Sequence, residues 1–250
     1  MLKIILVGCG GKMGNVVTQR VSEQNGAEIV AGVDKFCSAE KPYPVYSSIS
    51  EVALKADVII DFSHPDILSE VIEFSVNKNI PLVECTTGLS DEQTELIKSA
   101  SKKVAIFSSF NMSLGVNLIT ELAKTAATIL GDFDIEIIEQ HHNQKIDAPS
   151  GTAYMLANAI NETLNGEMQF NYDRHSTRAK RSKKEIGIHS IRGGNIVGEH
   201  EVIFAGTDEI IKISHSARSK EVFATGAVNA AAFIKGKPAG LYDMQDIIKG

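Results

Sequence analysis

The sequence predicts an α/β protein in which a doubly wound parallel sheet is joined to an α+β part with a mixed sheet. Three observations support this prediction. Strand and helix patterns alternate through the first hundred residues, a glycine-rich turn follows the first strand, and the chain becomes strand-rich after Tyr172. Alternating strands and helices are typical of βαβ units, whose right-handed crossovers build a parallel sheet.

The first part of the chain divides into short apolar runs separated by amphipathic segments. The runs predict strands over residues 3–7, 28–33, 58–61, 81–84 and 104–107. The segments between them predict helices over residues 12–23, 65–77 and 91–102. Ser90 is the expected N-cap of the third helix.

The second part of the chain has a different pattern. A helix is predicted over residues 117–130, a strand over 134–138 and a further helix over 152–164. Alternating strands follow over residues 185–192, 198–205 and 209–217, and helical patterns return over 221–235 and 242–249. Small side chains in the 221–235 segment favour close packing, which we interpret as a return towards the first domain.

Composition excludes several classes of protein. Of 250 residues, 43% are hydrophobic and 22% are charged, and no apolar run approaches the ~20 residues of a membrane helix. The formal charge of −6 argues against nucleic acid as the main partner, and we interpret the basic segment 174–184 as a solvated loop. Cys9, Cys37 and Cys85 form no C-x-x-C pair, and the chain opens on a strand, so we expect a cytoplasmic protein without disulfides.

A glycine-rich turn between the first strand and the first helix predicts a dinucleotide site. Its residues are Gly8, Cys9, Gly10, Gly11, Lys12, Met13 and Gly14. Gly8 and Gly10 permit a tight turn and close approach to a pyrophosphate, and Gly14 or Gly11 lets the helix pack against the strand. Asp34, 20 residues after Gly14, is placed to accept ribose hydroxyls, which completes a Rossmann-type pattern. Lys35 beside it offsets charge repulsion of a 2′-phosphate, so NADH and NADPH both remain open as cofactors.

Two later strand ends are expected to complete this pocket. Ligands of open α/β sheets bind beyond the carboxyl ends of the strands. The candidate lining residues are Cys85, Thr86 and Thr87 after one strand, and Ser109, Phe110, Asn111 and Met112 after the next. The alternative interpretation of both segments is an ordinary polar turn.

Residues 141–152 combine acid/base groups with a site suited to an anion. His141, His142 and Lys145 lie between a predicted strand and a predicted helix. Ser150 is a good N-cap, and Gly151 and Thr152 would open the helix with unpaired backbone N–H groups and a positive dipole end. The interpretation as solvated surface is weakened because two imidazoles and an ammonium repel one another without an anion between them. We expect no metal site, because adjacent histidines on extended backbone point to opposite sides.

These residues, together with further segments, resemble the bacterial 4-hydroxy-tetrahydrodipicolinate (dihydrodipicolinate) reductase family. The resemblance runs nearly end to end, and its most distinctive segment is residues 139–152. The other matching segments are residues 8–14, 61–65, 86–88, 111–117 and 192–200.

The resemblance implies an NAD(P)H-dependent reductase of diaminopimelate and lysine biosynthesis that acts on a small cyclic dicarboxylate. It implies a dinucleotide-binding domain of residues 1–112 and 222–250, and a substrate-binding and oligomerisation domain of residues 113–221 that assembles a homotetramer. It also implies that His141 is the acid/base residue and Lys145 the proton donor. By the same resemblance, His142 and the Gly151–Thr152 backbone hold the substrate carboxylates, and Ser150 is expected to be a substrate-binding residue with them.

Two alternatives compete with this interpretation. One is another two-domain NAD(P)-dependent dehydrogenase of an amino-acid-like acid, of the aspartate or homoserine dehydrogenase type. The other is a catalytically silent nucleotide sensor. Residues 141–152 argue against the first, and the second would require an additional partner-binding element for which no segment remains.

Overall fold

The computed structural model describes residues 1–23, 25–176 and 178–249. The chain divides into two compact units: Met1–Ser113 with Lys220–Gly250, and Leu114–Ser219. Each unit has its own β-sheet. No helix within the described ranges is long and apolar enough to cross a membrane.

Within the described residues, the first unit contains a seven-stranded sheet with helices between its strands. The strands are β1 (Leu2–Val7), β2 (Ala27–Val33), β3 (Val45–Tyr46), β4 (Val58–Asp61), β5 (Leu82–Glu84), β6 (Ala105–Ser108) and β12 (Gly240–Tyr242). The helices are α1 (Lys12–Glu23), α2 (Leu68–Lys78), α3 (Asp91–Ser101), α6 (Glu221–Ile234) and α7 (Met244–Lys249). Short 3₁₀ turns lie at Ile49–Glu51 and Pro65–Ile67.

The strand order of this sheet is β12-β6-β5-β4-β1-β2-β3, and every neighbouring pair is parallel. The chain moves outward from β1 to β3 and then returns to the other side of β1 with β4. The carboxyl ends of β1 and β4 therefore mark the point where the strand order reverses, which is where such sheets bind ligands. The doubly wound parallel sheet predicted from the sequence is confirmed.

Apolar side chains cover both faces of the central strand. Ile4 and Leu6 pack in one buried cluster with residues of α1 and α6. Ile5 and Val7 pack in a second cluster with residues of α2 and α3. Because this part of the strand is buried on both faces, the last four residues of β1, Ile4–Val7, form a continuous apolar run rather than an alternating one.

The second unit contains a mixed five-stranded sheet within its described part. Its strands are β7 (Asp134–His141), β8 (Gln169–Asn171), β9 (Glu185–Arg192), β10 (Gly198–Ala205) and β11 (Ile210–Ala217), and its helices are α4 (Leu114–Ile129) and α5 (Gly151–Thr163). The order is β11-β10-β7-β9-β8. β10 is antiparallel to both β7 and β11, whereas the β7–β9 and β8–β9 pairs are parallel. The predicted mixed sheet is therefore confirmed.

Several predicted boundaries were wrong. β7 continues to His141 instead of ending at residue 138, because its last residues pair with β9. Tyr242 belongs to β12, which pairs with β6, and not to the helix predicted over 242–249. Register with a distant strand decides both cases. The N-cap role of Ser90 is confirmed, with a capping box to Gln93.

The basic segment 174–184 is only partly a solvated loop, and its residue 177 lies outside the described residues. Arg181 is largely buried and donates hydrogen bonds to Glu136 (2.9 Å) and Asp134 (3.2 Å) at the start of β7. Arg174 pairs with Glu185. These two arginines therefore bind acids of their own unit.

Candidate active site

The buried face of β7 changes from apolar to ionisable at the end of the strand. Ile135, Ile137, Glu139 and His141 alternate along this face, and all four are buried. The two isoleucines join the core of the second unit. Burying ionisable side chains in line with apolar ones costs free energy unless they have close hydrogen-bond or charge partners. Both of these groups have such partners.

Glu139 is fully buried, and both of its carboxylate oxygens accept hydrogen bonds. Arg192, at the end of β9, donates from Nη1 to Oε2 (2.9 Å) and from Nη2 to Oε1 (2.6 Å). The backbone N–H of Ser150 donates to Oε1 (3.1 Å), and Nδ1 of His141 lies 2.5 Å from Oε2. One carboxylate therefore connects two strands with the start of α5.

These contacts set the ionisation of the site. Burial alone would raise the pKa of Glu139, but hydrogen bonds from Arg192, Ser190 and His141 outweigh it and lower the pKa to about 2. Burial lowers the pKa of His141 below its usual value, against the opposing effect of Glu139. The positive charges of Lys145 and Arg192 lower it further. At neutral pH the site thus holds an ionised carboxylate beside a neutral imidazole.

A second histidine packs against the first. His200 lies opposite Glu139 on β10, and its ring centroid is 5.2 Å from that of His141. Its Nε2 is 3.0 Å from Oγ of Ser150, and that Oγ also caps α5 by accepting the N–H of Ala153. Burial, followed by the charge of a protonated His141, lowers the pKa of His200 to about 3. His200 is therefore a neutral support for the helix start.

The remaining predicted residues lie in the loop before α5 and in its first turn. Nζ of Lys145 is 2.8 Å from Oδ1 of Asp147, and the backbone N–H of Lys145 donates to the carbonyl of His142. Gly151 and Thr152 are the first residues of α5. The structure thus brings His141 and Ser150 together through Glu139, whereas the ammonium of Lys145 is paired within its own loop.

The glycine turn of the first unit is tightly packed at three positions. Gly8 has a φ of +76°, and a Cβ there would lie 2.6 Å from the carbonyl oxygen of Phe62. A Cβ on Gly14 would lie 2.2 Å from the carbonyl oxygen of Gly8, so Gly14, not Gly11, brings α1 against the turn. A Cβ on Gly10 would lie 2.8 Å from Oδ2 of Asp34. A side chain at any of these positions would clash with the protein itself, so the glycines allow the tight strand-to-helix turn that is typical of dinucleotide sites.

Asp34 is held against this turn by backbone contacts. Its Oδ2 accepts the N–H of Gly10 (2.9 Å), and its Oδ1 accepts the N–H of Phe36 (2.9 Å). Lys35 is exposed, and its Nζ lies 5.9 Å from the ring centroid of Phe36. The sequence-predicted acid and the glycine turn are thus in direct contact.

The other predicted cofactor residues follow β5 and β6, which are neighbours in the sheet. Phe110 is exposed, whereas Met112 is buried in the cluster beneath α6. Asn111 accepts the N–H of Ser113 through Oδ1 (2.8 Å). Cys9 is also buried, so that Cys9 and Met112 offer only their backbone to a ligand.

Two buried acids lie beneath this strand edge. Asp61 and Glu84 end the neighbouring strands β4 and β5, and they are paired in register. Each accepts a backbone N–H two residues further on, from Ser63 and Thr86 respectively. Burial raises the pKa of Asp61, and burial together with the charge of Asp61 raises that of Glu84. Shared protonation is the physical consequence, since two adjacent buried carboxylates do not both ionise.

Within the described ranges, no group of three or more His, Cys, Asp or Glu side chains is arranged to hold a metal ion. The three cysteines are free thiols.

Comparison with known proteins identifies the family. The family model described as dihydrodipicolinate reductase, N-terminus, matches residues 2–112, and that described as its C-terminus matches residues 115–248. The chain belongs to the dihydrodipicolinate reductase family. The 4-hydroxy-tetrahydrodipicolinate reductase of Clostridium novyi (strain NT) is 51% identical over 250 residues, covering 100% of this chain and 99% of that protein. That of Caldanaerobacter subterraneus subsp. tengcongensis is 50% identical over 249 residues, covering 100% and 99%.

A solved structure agrees with this assignment. Dipicolinate-bound dihydrodipicolinate reductase from Paenisporosarcina sp. TG-14 superposes with a TM-score of 0.83 at 27% identity, covering 99% of each chain. Membership of the dihydrodipicolinate reductase family confirms the sequence-based resemblance, and neither the dehydrogenase alternative nor the silent-sensor alternative is favoured.

Sequence reasoning assigned no role to three members of the site in this reductase: Glu139, Arg192 and His200. One signal was available for two of them. Glu139 and His200 occupy positions of β7 and β10 where the strand pattern otherwise places apolar residues. No local signal identifies Arg192, because its role depends on the register of β9 with β7.

Proposed function

We propose that this chain reduces 4-hydroxy-tetrahydrodipicolinate, via dihydrodipicolinate, to tetrahydrodipicolinate in diaminopimelate and lysine biosynthesis. The observation that supports the proposal best is the cluster at the end of β7. There, His141 is held by a buried, ionised Glu139 that also binds the start of α5. This arrangement supports the proposal because it connects an imidazole that can exchange a proton with a helix N-terminus suited to a carboxylate.

The residues of the first unit fit a nicotinamide dinucleotide. The closely packed glycines of the 8–14 turn allow the tight turn that a pyrophosphate site needs, and Asp34 is fixed beside Gly10 where it can accept ribose hydroxyls. Lys35 would pair with a 2′-phosphate. When bound, NADH or NADPH supplies a hydride to the conjugated imine of the substrate. Cys85, Thr86 and Thr87, and Ser109 to Met112, are the proposed further wall of this site.

The second unit would hold the substrate by its two carboxylates. The N–H groups at Gly151 and Thr152 and the positive end of α5 favour an anion, and His142 and Lys145 add positive or donor groups. The backbone N–H and Oγ of Ser150 are both engaged within the protein. We therefore propose that Ser150 contributes to substrate binding by orienting the helix start.

Reduction leaves electron density on the ring that must be protonated. Lys145 carries a proton on Nζ and is the proposed donor, and His141 exchanges a proton through Nε2. Arg192 and Glu139 stay charged throughout, because each neutralises the other in a buried setting.

We further propose that residues 1–112 with 222–250 form the cofactor domain and that residues 113–221 form the substrate domain. A homotetramer and a cytoplasmic location remain predictions. Gel filtration with light scattering of the purified protein measures the subunit count directly.

The activity is tested with purified protein supplied with the product of dihydrodipicolinate synthase. We expect oxidation of NADH or NADPH only when that product is present. The loss of the reduced cofactor's absorbance measures this oxidation. The proposal would be rejected in favour of the dehydrogenase alternative if the enzyme oxidised aspartate or homoserine with NAD⁺ or NADP⁺ and did not reduce the synthase product.

A further inference from the structure

The geometry points to Glu139 and Arg192 as positioning residues of this reaction, an inference that depends on the proposed function. Glu139 holds His141 through its Nδ1 hydrogen, and Arg192 holds Glu139 together with the loop that precedes α5. One buried carboxylate thereby aligns the proton-exchanging imidazole with the anion-binding helix start.

Glu139 determines which ring nitrogen of His141 carries the hydrogen. An ionised carboxylate only accepts hydrogen bonds, so the 2.5 Å contact between Oε2 of Glu139 and Nδ1 of His141 requires the hydrogen on Nδ1. In the neutral ring, Nε2 is then the nitrogen with a free lone pair. A Cβ on Gly198 would lie 3.1 Å from this Nε2, so the glycine leaves room beside the nitrogen that exchanges the proton.

Arg192 and Glu139 also hold the loop that precedes α5. Arg192 Nη2 donates to Oε1 of Glu139 (2.6 Å) and to the backbone carbonyl of Asp147 (2.7 Å). The same Oε1 accepts the N–H of Ser150 (3.1 Å). The Arg192–Glu139 pair therefore holds the loop at two points on either side of Pro149, and Asp147 in turn holds Lys145. Displacing this carboxylate would move both proposed proton-exchanging groups.

The chain contains a matched cluster without these connections. Glu136 lies three positions earlier on β7, on the opposite face of the sheet, and it too contacts an arginine and a histidine. Its partners are Nε of Arg181 (2.9 Å) and Nε2 of His189 (2.8 Å). Glu136 has no contact with the 142–150 loop among the described hydrogen bonds. Glu136→Gln is therefore a control for the loss of a carboxylate from a Glu–Arg–His cluster on this strand.

The decisive measurement is the tautomer of His141 in the wild-type protein. We use ¹⁵N NMR of histidine-labelled protein at pH 8, where the lowered pKa of His141 leaves the ring neutral. A His141→Asn variant identifies its signals among those of the seven histidines. We expect a protonated Nδ1 and an unprotonated Nε2. A hydrogen on Nε2 would overturn the proposal, even if no variant of Glu139 folds.

Kinetics of Glu139→Gln give the second readout. We expect kcat to fall about 10²-fold or more with KM for NADH changed less than about threefold, because the wrong tautomer and a displaced loop affect the proton transfer and not the cofactor. Glu136→Gln should keep kcat within about threefold of the wild-type value. A Glu139→Gln enzyme as active as the Glu136→Gln enzyme would contradict the proposal.

The two hypotheses remain separable because the spectrum requires no substrate. If the wild-type protein does not reduce 4-hydroxy-tetrahydrodipicolinate, that result would count against the proposed function. The tautomer of its His141 would still decide whether Glu139 has the positioning role.

Discussion

The two units bury carboxylates in opposite ways. In the first unit, Asp61 and Glu84 face each other at adjacent strand ends and their pKa values are raised. In the second unit, Glu139 faces Arg192 and its pKa is lowered to about 2. Similar burial therefore favours shared protonation of two acids in one unit and a fixed charge in the other, because the nearest partner decides which form is stable.

This difference parallels the proposed division of labour. The first unit has a glycine turn that a pyrophosphate would contact, and the two acids below its sheet edge share protonation, which limits negative charge near an anionic cofactor. The second unit maintains a charge that orients an imidazole, which suits proton transfer. Substitutions at Asp34 and Lys35 should therefore change cofactor KM, and substitutions at His141 and Lys145 should change kcat.

The largest expected effect is on folding stability in the second unit. Arg192→Leu leaves Glu139 buried without its cation, and we expect a loss of about 3–5 kcal/mol of unfolding free energy. The control is Lys212→Leu, which breaks an exposed pair with Glu201 and should cost about 1 kcal/mol or less. Urea denaturation at pH 7 measures both. Equal losses in the two variants would show that the buried Arg192–Glu139 pair contributes no more to stability than the exposed Lys212–Glu201 pair.

The next effect is on the chemical step. His141→Gln and Lys145→Ala should each lower kcat about 10²-fold or more, because each removes a group that exchanges a proton with the substrate. The dissociation constant of NADH, measured by fluorescence titration without substrate, should change by less than about threefold. Near-wild-type kcat in either variant would remove that residue from the proposed mechanism.

Much of the fold could be predicted because it is encoded locally. Apolar runs, the glycine turn and the Ser90 capping box each depend on residues within about ten positions of one another. The short strands β3 and β8 could not be predicted, since two or three residues carry no periodicity. Tyr242 was placed in a helix because its pairing with β6 is invisible in the local sequence.

The site likewise contains some residues that the local sequence indicates and others that only the assembled sheet brings together. His141, Lys145 and the start of α5 lie within a dozen residues, and their residue types alone suggested a site. Arg192 and His200 reach it from β9 and β10 through strand register. A one-residue change of register would turn either side chain to the other face, and only the assembled sheet determines register.

A smaller effect is expected on cofactor choice in the first unit. Asp34→Ala should raise KM for NADH about tenfold and KM for NADPH less, because only NADH has the 2′-hydroxyl that the carboxylate would bind. Lys35→Ala should raise KM for NADPH more than KM for NADH. Since Asp34 also accepts the N–H of Gly10, some loss with both cofactors is expected, and kcat should stay close to wild type. Identical changes for both cofactors in both variants would place the ribose pocket elsewhere.

The smallest expected effect is the pH dependence of stability, which should differ between the Asp61–Glu84 pair of the first unit and Glu139 of the second. For Asp61 and Glu84 the folded pKa values are raised, so their contribution to stability is full below the unfolded values near 4 and is lost as pH rises through the folded values. Asp61→Asn removes one of these acids, so the stability of this variant relative to wild type should improve as pH rises from 4 to 8.

Glu139 predicts the opposite trend, because its folded pKa is lowered to about 2. Its contribution is full above the unfolded value near 4 and is lost as pH falls towards 2, so Glu139→Gln should be most damaging at neutral pH and least damaging near pH 3. Urea denaturation of both variants and of the wild type at pH 3, 4, 6 and 8 makes the comparison. Because Asp61 lies beside another acid and Glu139 beside a cation, the stability differences of the two variants from wild type should change in opposite directions with pH. Parallel trends would mean that burial alone, and not the charge of the nearest partner, governs both carboxylates.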